Sequence, residues 1–100
     1  MRGTISAQQI AIYLALRAAH RRWLTAREIT ELTGDVDGRT VRLYLKRWRE
    51  LGLVEWLEES FPGHLYRLRR SPDPAAMEFA EKLQRLAGAR ASDRVREEAR

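Results

Sequence analysis

One hundred residues carry 19 Lys plus Arg against 14 Asp plus Glu, a net charge of +5, with 44% hydrophobic residues and no cysteine. At that length one core of ordinary size is expected, without a second ligand-sensing domain, and the apolar content is too high for a chain disordered by composition. The missing cysteine excludes disulfides, thiolate metal ligands and cysteine nucleophiles together, while the basic excess suits a polyanionic partner.

Only Lys46 and Lys82 are lysines, so 17 of the 19 cations are arginines, the residue type that pairs bidentately with phosphate or guanine. Genome composition is an alternative source of that bias. The most apolar stretch, Ile10 to Leu16, is far shorter than the ~20 residues of a membrane span. The first residues lack a signal-peptide pattern. The expectation is a soluble, cytoplasmic protein without membrane contact.

Ser6-Ala7-Gln8-Gln9 has the form of a capping box, which predicts a first helix from about Ala7 to Arg21. Its apolar residues, Ile10 through Leu16 with Ala18 and Ala19, cover most of the circumference, so this helix is expected to be covered on two sides. Thr25-Ala26-Arg27-Glu28 is a second capping box, opening a short helix with Ile29 and Leu32 at i, i+3 that Gly34 ends. Gly34 to Gly38 is a turn by composition, with Asp37 placed to cap the next helix.

A third helix, Gly38 to Leu51, shows Val41, Tyr44, Leu45, Trp48 and Leu51 at the spacing of one face, and Gly52 as C-cap. Arg39, Leu43, Lys46 and Glu50 project opposite that face, with Arg42 and Arg47 flanking them. Leu53 to Glu58 and Leu65 to Arg69 then read as the strands of a β-hairpin around Glu59-Ser60-Phe61-Pro62-Gly63-His64. Asp73 and Pro74 open a fourth helix as N-cap and first helical residue, and Gly88 is expected to end it. The last dozen residues hold Val95 as their only large apolar side chain, and read as frayed or as an extension ordered against a partner.

The run Leu24 to Ile29, the turn, and then Thr40-Val41-Arg42-Leu43-Tyr44-Leu45-Lys46-Arg47-Trp48-Arg49-Glu50-Leu51-Gly52-Leu53-Val54 resemble the winged helix-turn-helix of prokaryotic regulators. Leu51-Gly52-Leu53-Val54 and Tyr66-Arg67-Leu68 are similar to the helix-to-wing junction and second wing strand of the MarR, ArsR and PadR groups. The resemblance covers about residues 6 to 70 and does not choose among those groups. It implies a mostly helical α+β fold with a three-helix core plus hairpin wing over 1–70, to which the residues themselves add a helix over 71–88, expected as a dimerisation element, and a charged tail over 89–100. Trp48 stands where such regulators commonly carry leucine, and Glu58 and Glu59 bring carboxylates into the hairpin, where they repel phosphate. His64, Arg67, Arg69 and Arg70 partly offset them.

By the resemblance and the helical wheel together, Arg39, Thr40, Arg42, Leu43 and Lys46 are expected to meet base edges or adjacent phosphates in the major groove. Arg47 and Arg49 are assigned to the backbone, and His64 and Arg67 to the wing's contacts. Leu43 suits a thymine methyl group. Ala76, Phe79, Ala80, Leu83, Leu86 and Ala87 form a stripe that must bury against the first helix or a second copy. The expectation is a homodimer through Phe79, Leu83 and Leu86, reading a palindrome with half-sites ~34 Å apart.

Trp23, Trp48 and Trp56 sit in apolar patterns and read as core or interface aromatics rather than stacking platforms for bases. No catalytic constellation, phosphate loop or metal-ligand spacing is present, His20 and His64 being distant from each other in sequence, so neither enzyme nor cofactor is expected. The function expected from this pattern is sequence-specific duplex DNA binding by a small transcriptional regulator, a repressor. The alternatives are a winged-helix adaptor in a transcription or replication assembly, contacting protein through its acidic hairpin and Phe61, and a plasmid or phage replication or DNA-organising protein.

Overall fold

The computed structural model describes residues 5–58 and 63–99, with side chains through residue 89. Helix α1, Ala7–Ala18, starts at the expected box: Ser6 Oγ accepts from the Gln9 amide at 3.3 Å while the Ser6 amide donates to Gln9 Oε1 at 2.9 Å. It stops one turn short of Arg21, because His20 takes a left-handed φ of 56° and its amide bonds back to the Arg17 carbonyl at 2.9 Å. That reversal turns the chain into strand β1, Leu24–Thr25, which the sequence reading missed.

Helix α2, Ala26–Thr33, and helix α3, Gly38–Leu51, come next with the expected bounds, joined by a turn in which Gly34 holds φ at 84°. Strands β2, Val54–Leu57, and β3, Leu65–Leu68, pair antiparallel with Glu55 opposite Arg67 and Trp56 opposite Tyr66. β1 adds to the far side of β3, making a three-stranded antiparallel sheet of order β1-β3-β2. The chain is therefore α+β, with four α-helices and one small sheet among the described residues.

Helix α4, Met77–Ala99, departs from expectation at both ends. Pro74–Ala76 is a separate 3-10 turn, and Asp73 makes no side-chain cap; its carboxylate lies 3.8 Å from the Arg69 guanidinium instead. Gly88 does not terminate α4, since its φ stays negative and the helix continues through Ala99. One interior glycine costs a helix only about 1 kcal/mol, and Ala87, Ala89 and Ala91 around it are the strongest helix formers.

The core is one cluster in which α3 supplies Val41, Leu45 and Trp48, α1 supplies Ile12, Tyr13 and Leu16, and α4 supplies Ala80, Leu83 and Ala87. Trp48 is its largest member and meets Phe79 edge-on with ring centroids 6.1 Å apart. The α4 stripe is thus packed on α1 of the same chain, with Phe79 against Trp48 of α3, and Leu83, expected at a dimer interface, is fully enclosed. Half-buried Phe79 and exposed Leu86 remain at its margin. Among the described residues no helix is long and apolar enough to cross a membrane.

Candidate nucleic-acid interface

α3 is held at both ends by local chemistry. The Asp37 carboxylate accepts from the Arg39 amide at 3.0 Å, and Gly52 closes the helix in the left-handed region with φ at 93°. With Val41, Leu45 and Trp48 committed inward, the helical repeat carries Arg39, Arg42, Lys46 and Arg49 along one shoulder, within an arc of about 80°. Arg39, Arg42 and Lys46 are exposed, and among the described residues none has a carboxylate within ion-pair distance. Arg39 stands in the first turn of α3, where a cation opposes the helix macrodipole and the Asp37 cap carboxylate offsets it.

This shoulder faces a concave cleft of about 630 Å³ lined by Thr25, Ala26 and Arg27 of the α2 start, by Arg42, Lys46 and Arg49, and by Gly63, His64 and Tyr66 of the β3 side. No carboxylate lines it among the described residues. The α2 start is fixed by a second capping box, in which Thr25 Oγ1 accepts from the Glu28 amide at 3.1 Å and the Thr25 amide donates to Glu28 Oε1 at 2.9 Å. Arg27 pairs with Glu31 at 3.4 Å, but with side chains 87% and 68% exposed that pair is worth little and does not withdraw the cation.

Trp56 stands beside the cleft, in contact with two residues that line it. The Arg49 guanidinium lies 3.9 Å above the Trp56 ring, and His64 meets the same indole edge-on with centroids 4.9 Å apart. His64 Nε2 is 3.8 Å from Glu58 Oε1, so the carboxylate that follows β2 is turned to the histidine. Glu59 and Phe61 lie outside the described residues. Trp56 is half-buried, with its partners in reach of the cleft, which is a more specific role than the generic packing expected of it.

The remaining expected contacts fall elsewhere. Arg67 is on the opposite face of the sheet: its Nε donates to Glu55 Oε2 at 3.0 Å, its Nη1 donates to the Arg21 carbonyl at 3.2 Å, and its guanidinium stacks 4.0 Å over Trp23. Arg21 completes that cluster by donating to the Leu68 carbonyl at 2.9 Å and to Glu55 at 3.3 Å. Arg67, expected among the wing's contacts, staples β3 to the α1–β1 connection.

Arg47 and Thr40 sit on the other flank of α3, Thr40 half-buried and Arg47 5.8 Å over the Tyr44 ring beside a groove lined by Trp48, Glu50 and Phe79. Leu43 projects from the crest of α3 and is 45% exposed. Sequence reasoning missed Arg27 and Tyr66 at the cleft and the Arg49–Trp56 stack beside it. The capping box carried the signal for Arg27, since it fixes where a helix start points; nothing in the one-dimensional pattern located the aromatic pair.

The chain matches no protein-family model and no curated protein. Its chemistry must be read from the site. Four cations from two helices, an exposed leucine on the crest of α3 and an imidazole on the hairpin are gathered on one side of the chain. Nothing in it resembles a nucleophile beside a base, and among the described residues no three His, Asp or Glu side chains converge on a metal site.

Proposed function

We propose that this chain binds duplex DNA as a winged helix-turn-helix regulator, with α2 and α3 as the helix pair and the β2–β3 hairpin as the wing. The observation that carries the reading is the row Arg39, Arg42, Lys46 and Arg49 on the open side of α3, its exposed members without carboxylate partners among the described residues. An α-helix with its side chains is about 10–12 Å across and the major groove about 12 Å wide, so the crest of α3 enters and its cations reach guanine acceptors or flanking phosphates. Arg42 and Lys46 are the base readers, Leu43 contacts thymine methyl groups, and Arg27, Arg49 and His64 hold the backbone that runs through the cleft.

Binding is measured by fluorescence anisotropy with native upstream DNA and an unrelated duplex at two salt concentrations. The wild type is expected to prefer the upstream DNA and to weaken with salt by counterion release. The double variant Arg42→Ala with Lys46→Ala is expected to lose at least about 100-fold in affinity, from two charge-assisted contacts. Unchanged affinity in that variant contradicts the assignment of α3, and a wild type that binds neither duplex favours the adaptor reading instead.

Pairing of two copies belongs to the same reading, through the α4 flank that carries Phe79 and Leu86 in place of the buried Leu83. Sedimentation is expected to give twice the monomer mass, and Leu86→Asp to return it to the monomer. A wild type that sediments as a monomer contradicts pairing.

A further inference from the structure

We infer that Trp56 is a positioning residue for duplex binding, its indole holding the Arg49 guanidinium ordered at the junction of α3 and the hairpin before DNA arrives. The inference rests on the DNA reading above and assigns a mechanism to one part of that site.

Arg49 differs from the other cations of its row. Arg39, Arg42 and Lys46 are exposed side chains that lose rotamer freedom when they meet a ligand. Arg49 is half-buried, and its guanidinium already lies 3.9 Å over Trp56. Stacking occupies the flat face of a guanidinium and leaves its N–H edge available for two parallel bonds to a phosphate. Among the described residues no carboxylate pairs with Arg49, because the neighbouring Glu55 points to the opposite sheet face and is taken by Arg21 and Arg67.

Trp56 is itself braced. Its strand is paired to β3 through Tyr66, and His64 abuts the edge of its ring. The stack therefore ties the last turn of α3 to β2. A lysine at position 49 would keep the charge and lose the planar stack.

The experiment is a double-mutant cycle on duplex affinity and its salt slope, with Arg49→Ala, Trp56→Ala and the double variant, and urea unfolding of each. Arg49→Ala is expected to lower affinity about tenfold, equally on upstream and unrelated DNA, and to reduce the salt slope by about 1. Trp56→Ala is expected to cost a similar factor in the wild-type background and less than about twofold once Arg49 is gone. Trp56→Phe is expected to restore most of the affinity, and Arg49→Lys to lose most of it while keeping the slope.

An equal loss from Trp56→Ala with and without Arg49 overturns the inference, as does wild-type affinity in Trp56→Ala or Arg49→Lys. Should Trp56→Ala not fold, Trp56→Phe and Arg49→Lys decide between the same two outcomes. Failure of these variants while Arg42→Ala with Lys46→Ala still abolishes binding overturns the positioning role alone. A wild type that binds no duplex overturns the DNA reading and this inference with it.

Discussion

Arg49 and Arg67 look alike in the sequence and have opposite fates. Each stacks on an indole, at 3.9 and 4.0 Å, yet Arg67 also satisfies Glu55 and the Arg21 carbonyl, while Arg49 is left beside the cleft. Arg67→Ala is expected to lower stability by about 1 kcal/mol, the combined scale of a stacked cation and a partly exposed ion pair, and to leave duplex affinity within about twofold. Urea unfolding and anisotropy on one sample check both. Trp48→Ala removes the largest buried side chain and is expected to cost about 3–5 kcal/mol in the same unfolding assay. Which arginine is free was not legible in the sequence, because it depends on strand register: Arg67 lies opposite Glu55 only once β2 and β3 are paired. The inward placement of Val41, Leu45 and Trp48 was legible, because helical spacing alone fixes it.

At the scale of elements, the starts and stops written in short polar motifs were the most readable. Both capping boxes and the Asp37 cap form as their spacing requires, and Thr25→Ala is expected to cost about 1 kcal/mol and to loosen the α2 edge of the cleft. Gly52 has two reasons to be glycine: a left-handed φ of 93°, and Asp73 packed where a methyl group would stand. Gly52→Ala is accordingly expected to destabilise by about 2 kcal/mol, read from the urea midpoint. Gly88 misled because a glycine signals a helix end only when the chain turns there, and here surrounding helix formers carry the helix on. β1 was missed since two residues hold no periodicity; Leu24–Thr25 becomes a strand through its partner β3.

Across the whole molecule, charge is sorted by surface. The open shoulder of α3, the α2 start and His64 share one cleft without an acidic lining residue among those described, while the opposite sheet face gathers Arg21 and Arg67 on the single carboxylate of Glu55. α4 has 23 residues, about 35 Å at 1.5 Å per residue, against 12 residues and about 18 Å for α1, so it outruns the helix it packs on. The sequence could not assign the α4 stripe to its own chain or to a second copy, since both bury the same side chains; packing against α1 takes Leu83 and leaves Leu86. The geometry is tested most directly by mapping amide chemical-shift changes as a short duplex is added to isotope-labelled protein at low salt. The shifts are expected to concentrate at residues 25–27, 39–49 and 63–66. Shifts concentrated around Glu55 and Arg67 or along α4, with α3 silent, would contradict a DNA-reading role for the arginine-rich helix.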